Sequence, residues 1–339
     1  MWKKLIALLL SVLIICSLTA CSMTAETTHE TVTPATDEQE VSNTEENETK
    51  NSTGSKHGNK TESAVTGDEE TYTLSGTVAE SLVIESENDV VIVLDNVTAK
   101  LEDSVIKIKS AKSAVLVING TNTLESTAAD TKAIKSDVDL TIEGEGTLNV
   151  ISTDTCIKSD TNLTVNSGTL NLNGGSDGDG LRSDETLTIN GGTISITSGE
   201  GIESTQITIN DGTIVISATD DGINASSKSE TLSPSVTING GNLDITMAQG
   251  DTDAVDSNGS LTITGGNINI SAQFAFDYDG TVSFTGGTVY VNGQQLTQIS
   301  NNMMPGGHGN WGGQQGGMAP GGAPPTGTPG QQGPGGMHP

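Results

Sequence analysis

Aromatic side chains are scarce in this chain: eight in 339 residues, against 42 glycines. That argues against one large ring-filled core, because globules of this length bury many more rings. Histidine is missing from the central part, since His29, His57, His308 and His338 all fall near the ends. Cysteine offers little more. Cys16 and Cys21 belong to the N-terminal leader, which leaves Cys156 alone in the body. An intramolecular disulfide framework, a Ser/His/Asp or Cys/His centre and a His-based zinc site are therefore excluded there. Cys156 takes a slot filled elsewhere by Gly or Ala and reads as a packed, inert thiol. Positive charge is equally short: 14 Lys and Arg against 43 Asp and Glu give a formal net charge of −29. Nucleic acid and anionic membrane surfaces are poor partners for such a chain. Carboxylates, a few bases and a borrowed cation are what remain for chemistry.

The N-terminus reads MWKK, then LIALLLSVLII, an apolar run of 11 residues, then Leu18-Thr19-Ala20-Cys21. Such a run is short for a membrane span and suits a secretory signal. LTAC resembles the bacterial lipobox, whose Cys becomes the lipidated first residue of the mature protein, so Cys21 is the expected lipidation site. The acidic Ser/Thr-rich tract that follows has too few apolar residues to fold and reads as a solvated tether. At the other end, Gly and Pro supply 21 of the last 37 residues without a triplet period, which predicts disorder and not a collagen helix. The expected layout is a lipoprotein signal over 1–21, a tether over 22–70, a folded body over 71–300 and a disordered tail over 301–339. A lipid at Cys21 would be the only membrane link and would hold a monomeric body on the extracellular face of the cell.

Between these ends one phrase recurs. LTINGGTISITSGEGIES begins at Leu187 and ITINDGTIVISATDDGINAS at Ile207. Aligned on the turn glycine, Gly120, Gly146, Gly168, Gly192, Gly212, Gly241, Gly266 and Gly287 form one column, spaced 26, 22, 24, 20, 29, 25 and 21 residues apart. Periods of this size indicate a solenoid or array. Each unit alternates with period two, Leu187, Ile189, Ile194 and Ile196 facing one way and Thr188, Asn190 and Ser195 the other. A third short element follows: AIKS at 133–136, CIKS at 156–159, GLRS at 180–183, GIES at 201–204, GINA at 222–225, AVDS at 254–257 and AFDY at 275–278. Three short strands per coil make an all-β parallel β-helix of about nine coils. Helical solenoids are excluded, because Thr, Ile, Val and Gly dominate and no 3.6-residue period appears. One coil cannot bury its own apolar face, but stacked coils share an aliphatic interior and place like residues ~4.8 Å apart. Asn119, Asn166, Asn190, Asn210 and Asn239 then form an amide ladder before the glycine turn. The segment 226–235 is an insertion expected to project as a loop. Phe274, Phe276, Tyr278, Phe284 and Tyr290 crowd the last coils, either closing the stack or offering rings to sugars.

Charge is columnar too. The residue before the third strand is Asp179, Glu200, Asp221 and Asp253 in four consecutive coils. Like charges ~5 Å apart repel by about 0.8 kcal/mol in water and ~3 kcal/mol at an effective dielectric near 20. From Asp184 onward there are 14 acids against one base, Lys228. An oxygen-seeking cation such as Ca2+ fits this half, with Asp177, Asp179, Glu200, Asp220, Asp221, Asp251, Asp253 and Asp256 as candidate ligands; the alternative is a solvated edge that blocks aggregation. Two residues on from the recurring small slot, the outward position holds Lys135, Lys158 and Arg182, preceded by Lys107 or Lys109, and then Glu203, Asn224, Asp256 and Asp277. Lys135, Lys158 and Arg182 are candidate contacts for an acidic glycan, unless Asp130, Asp137, Asp154 and Asp160 neutralise the lysines locally.

Taken together, the lipobox leader, the polar tether, the repeated [LV]-T-[IV]-N-G-G-[TN]-[IL]-x-[IV] and D-[DG]-G-[ILV]-x-S phrases and the Gly/Pro/Met tail resemble a family of bacterial carbohydrate-binding lipoproteins. The resemblance covers about 220 residues. It implies a right-handed β-helix like that of pectate lyases, bound calcium, and non-catalytic attachment to polysaccharide, with cellulose and polygalacturonate as ligands of clostridial members. Two departures are visible: EGEGT at 143–147 and DTCI at 154–157 lose the D-D-G spelling, and few aromatics are available for cellulose. The expected function is non-catalytic binding of polysaccharide, acidic or cellulosic, through a calcium-loaded face. A calcium-dependent lyase with Lys158 or Arg182 as base, and a structural or adhesive spacer, are the alternatives.

Overall fold

A computed structural model of the chain describes residues 62–66, 69–250 and 252–301. The leader with Cys21, residues 22–61, the tail from 302 with Trp311, and Asp251 lie outside the described residues. Among the described residues there is no helix, and strands stack into a parallel β-solenoid of about nine turns. Period-two alternation makes each strand. In Thr193–Ser198 exposed and buried residues alternate strictly, so that Ile194 and Ile196 fill the interior while Thr193, Ser195 and Thr197 face out.

Each turn contributes one strand to each of three faces. The first carries Leu163–Val165, Thr186–Ile189, Gln206–Ile209 and Ser235–Ile238. The second carries Thr169–Asn173, Thr193–Ser198, Thr213–Ala218 and Asn242–Met247. These two form one continuous 20-stranded sheet, because the long strands Glu69–Val78 and Asp89–Leu101 run around the corner between them. The third face is a separate nine-stranded sheet running from Leu82–Glu85 to Phe274–Tyr278. Register is set from inside: Leu187 pairs with Ile207 and Ile207 with Val236, and all three are fully buried. Burying one such side chain stabilises by about 1.5–3 kcal/mol. A one-residue slip would turn the whole set outward.

The turn before the second face is held by the expected ladder from Asn166 onward; in the coil before it Glu143, and not Asn119, accepts from Asn166 Nδ2, at 3.5 Å. Asn190 Nδ2 donates to Asn166 Oδ1 at 2.9 Å, Asn210 to Asn190 at 2.8 Å and Asn239 to Asn210 at 2.9 Å. Gly192 follows at φ 96°, where a Cβ would also meet Gly168 O at 2.9 Å; only glycine suits both conditions. Cys156 is buried, and burial pushes its thiol up to about 12. Both open ends of the stack are covered. Glu62–Thr66 pairs antiparallel with Glu69–Thr73, upstream of the expected start at 71. Gln294–Gln295 turns back on Tyr290 and Val291. Phe276 is fully buried and Tyr278 and Phe284 pack partly buried on the core, so these rings close the stack; Tyr290 stays exposed.

Candidate functional site

The third face begins at a corner. In Asp179–Ser183 and Glu200–Ser204 two successive residues, Gly180-Leu181 and Gly201-Ile202, face the interior. A Cβ on Gly180 would stand 2.3 Å from Ile196 Cγ2, and one on Gly201 2.3 Å from Gly222 O. Two inward residues in a row bring positions i and i+3 to the same outer side, where strict alternation would part them. Arg182 Nη1 accordingly lies 3.4 Å from Asp179 Oδ2. The next coil repeats the arrangement, Glu200 pairing with Asp179 and Glu203 with Arg182.

Asp179, Glu200 and Glu203 thereby offer carboxylate oxygens within 4.8 Å of one another. Asp179 and Glu203 are only 3% and 2% exposed. Thr155 Oγ1 donates to Asp179 Oδ2 at 2.7 Å, and Asn224 Nδ2 donates to Glu200 Oε2 at 3.2 Å. Around Glu203, Arg182 Nη1 lies 2.8 Å from Oε2 and Lys228 Nζ 2.5 Å from Oε1. Lys228 comes from the insertion, which folds back instead of merely projecting: the backbone N–H groups of Lys228 and Ser229 both donate to Thr205 Oγ1 at 2.9 Å. Two buried oxygens, Glu203 Oε2 and Asn224 Oδ1, have no hydrogen-bond partner. The Arg182 contact is thus an ion pair without a well-aligned N–H.

Burial, with the Glu203, Asp179 and Asp221 carboxylates beside it, pushes Glu200 up to about 8. Burial also raises Asp179, which Thr155 and Arg182 only partly offset. Burial and the neighbouring acids therefore favour the protonated form of Glu200 near neutral pH, while Arg182 and Lys228 ion-pair with Glu203 beside it. A bound divalent cation would allow all three acids to ionise. These residues are able to hold a metal ion: the donors are hard oxygens, Glu203 Oε2 has an ion pair but no hydrogen bond, and Asn224 Oδ1 beside them has no hydrogen-bond partner.

Among the described residues, the remaining predicted acids do not join the convergent group. Asp221 Oδ1 accepts from the Asp253 N–H at 3.0 Å. Asp256 stacks between Asn224 and Asp277. Burial is the largest cause of a rise to about 6 at both Asp221 and Asp256, with neighbouring acids adding to it. Asp177 and Asp220 are exposed. Glu203 stood outside the predicted ligand set, and its signal was the three-residue spacing from Glu200 across a Gly-Ile corner.

The basic column holds its register, with Lys107 on Lys135, Lys135 on Lys158 and Lys158 on Arg182. Each base is locally neutralised. Lys135 pairs with Asp137 and with Asp160 at 3.0 Å; Lys158 pairs with Asp160 at 2.9 Å and Asp184 at 3.2 Å. An ammonium has three N–H donors, so two are engaged in each case. Burial alone would lower the Lys135 pKa, but Asp137 and Asp160 outweigh it and the net direction is up.

Comparison with known proteins bears on this surface. No curated protein matches the chain. A solved structure described as "Structure of the polysaccharide lyase-like protein from C. thermocellum, Gadolinium derivative" is similar at 23% identity and a TM-score of 0.47, covering 66% of this chain and 92% of that one. A family model described as carbohydrate-binding domain-containing protein matches residues 59–295, from the first strands through the whole third face, and the chain belongs to that carbohydrate-binding family.

Proposed function

We propose that this protein is a lipid-anchored, extracellular, non-catalytic polysaccharide binder that holds calcium on its third face at Asp179, Glu200 and Glu203. The observation that carries the reading is the convergence of those carboxylates, with Glu203 Oε2 and the neighbouring Asn224 Oδ1 buried without hydrogen bonds. Calcium takes carboxylate and amide oxygens of this kind. When bound it would offer positive charge to the carboxylates of an acidic glycan such as polygalacturonate. Asp221, Asp256, Asp177, Asp220, Asp253 and Asp251 would hold further ions or tune this one. Lys135, Lys158 and Arg182 would add their remaining N–H donors along the same axis. Family membership supports the carbohydrate partner, and the LTAC leader supports anchoring through Cys21.

A lyase with Lys158 or Arg182 as base is disfavoured by the ion pairs. A base that removes a sugar proton needs its pKa lowered towards the working pH. Burial acts in that direction at Arg182, but Glu203 and Asp179 outweigh it and keep the guanidinium protonated. Lys158 is clamped between Asp160 and Asp184. The test is retention of the chain by polygalacturonate in calcium and in chelator, with ultraviolet absorbance followed in parallel. Calcium-dependent retention without unsaturated products is expected. Rising absorbance would establish a lyase, and no retention under either condition would favour a spacer.

A further inference from the structure

The second face carries chemistry that the third does not. Over Thr147–Ser152, Thr169–Asn173, Thr193–Ser198 and Thr213–Ala218 the strands pair in register and turn three side chains per coil outward. These are Thr, Asn and Ser with two aliphatic residues, Ile151 and Val215. None is charged, in a chain holding 14 bases and 43 acids. Ile151 and Val215 are 40% and 44% exposed, among the few large apolar side chains in contact with solvent. A shallow, open trough of about 290 Å³ runs across three of the coils, lined outwardly by Asn149, Ile151, Asn171, Asn173, Ser195 and Thr197.

The polar groups in the trough divide into two kinds. Asn171 Nδ2 donates to Asn149 Oδ1 at 2.8 Å, and Asn149 Nδ2 donates to Asn122 O at 3.1 Å. That ladder fixes the amides before any ligand arrives, which lowers the ordering cost of binding. Asn173, Ser195 and Thr197 have no side-chain hydrogen bond to another described residue, so their donors and acceptors point to whatever lies above. Coil spacing of ~4.8 Å repeats this set along the axis, which suits a polymer of like units. An open trough suits a chain laid along a surface better than an enclosed small molecule. Charge decides the class of polymer. An acidic glycan would approach a strongly negative protein here without a cation or a base to receive it. An uncharged polysaccharide meets no such barrier: its hydroxyls match the amides and hydroxyls, and its C–H faces match Ile151 and Val215.

The geometry points to this second face, over 147–218, as the docking surface for an uncharged, hydroxyl-rich polysaccharide, distinct from the acidic third face. The inference rests on the carbohydrate-binding reading but is independent of calcium. It is tested by native electrophoresis of the full-length chain through gels containing hydroxyethyl cellulose or polygalacturonate, each in calcium and in chelator. The expected result is retardation by hydroxyethyl cellulose that is equal in both conditions. The double variant Asn173→Asp with Ser195→Glu should weaken it at least tenfold, and Asn173→Ala should weaken it several-fold, while the thermal response to calcium stays as in the wild type. Unchanged retardation in the variants overturns the inference. Retardation of the wild type by polygalacturonate alone also overturns it and leaves the carbohydrate reading intact. No retardation by either polymer sinks both. Sedimentation velocity covers the remaining occupant: if the variants alter self-association and not glycan retention, the face joins copies of the chain and the inference fails.

Discussion

On the second face Thr169 stacks on Thr193 and Asn171 on Ser195; on the third, across the same two coils, Asp179 stacks on Glu200 and Arg182 on Glu203. The interior behind both rows is the same aliphatic filling, Ile194 and Ile196 on one side and Leu181 and Ile202 on the other. Packing therefore specifies the inward letters and leaves the outward ones open to chemistry. The two faces differ in how far that chemistry is coupled to stability. Second-face side chains are largely solvated, and those of Asn149 and Asn171 are linked by neutral hydrogen bonds and not by buried charge. Third-face charges are buried at the corner, so each holds its neighbours in place.

The largest test of that difference is Arg182→Ala. It strands Asp179 and Glu203, both nearly inaccessible, without their shared guanidinium. Breaking a buried pair by removing one partner costs about 3–5 kcal/mol, and in a domain of this size each kcal/mol moves the Tm by roughly 2–4 °C. Calcium should recover part of the loss, which thermal melts with and without chelator would show. An outward change on the second face, Thr197→Ala, should leave the Tm within about 1–2 °C, since surface substitutions usually stay within ~0.5 kcal/mol. Equal effects from both would erase the contrast between the faces.

Next in size is a change that reaches both faces at once. Ile216 is fully buried under the second face, and its Cγ2 lies 2.6 Å from where a Cβ on Gly201 of the third face would stand. Ile216→Ala should cost about 2–5 kcal/mol, measured by denaturant unfolding. It should reduce calcium response and glycan retention together. Loss of one function alone would mean that the faces do not share a support.

The fold was legible because inward alternation and a recurring turn leave little choice. Leu187, Ile207 and Val236 spell the same core position, and the asparagines at 166, 190, 210 and 239 spell the same ladder. The acid and base columns followed from that register. The convergence of Asp179, Glu200 and Glu203 did not, because period-two reasoning puts residues three apart on opposite sides. Only the close packing of Gly180 against Ile196 reveals that two inward residues occur in succession. Lys228 was equally hidden: nothing local says that an insertion folds back onto Thr205. The neutrality of the second face over 147–218 was written in Thr, Asn and Ser, but its meaning depends on which columns share a surface.

A moderate effect is expected from pH. Glu200 holds its proton more tightly in the folded chain, at about 8, than at its ordinary value of 4.5. The proton is lost at higher pH only at the expense of the fold, so this contribution is complete below 4.5 and is lost as pH rises through about 8. Asp154 and Asp160, held down by lysine partners despite their burial, act oppositely and lose their contribution in acid. In chelator, stability should therefore fall between about pH 5 and 8, by roughly 2 kcal/mol or about 4–8 °C in Tm. Saturating calcium should flatten the slope by favouring the ionised acid, and Glu200→Gln should flatten it without calcium. A chelated wild type that grows more stable across this window would contradict the buried-acid picture.

The smallest expected effect separates binding from stability most cleanly. Lys135 is paired with Asp137 and Asp160, but its side chain is 36% exposed and Asp160 keeps Lys158 as a partner. Exposed pairs contribute about 0–1 kcal/mol, so Lys135→Ala should barely move the Tm, and less still at high salt. Its third N–H is the group left for an acidic chain. If that donor meets a glycan carboxylate, retention by polygalacturonate should weaken several-fold while retention by hydroxyethyl cellulose stays unchanged. Asn173→Ala on the second face should give the mirror result, weak on the uncharged polymer and normal on the acidic one. Should Lys135→Ala bind both polymers like the wild type, the basic column only neutralises its own carboxylates, and any retention by polygalacturonate would have to come from a cation held at Asp179, Glu200 and Glu203.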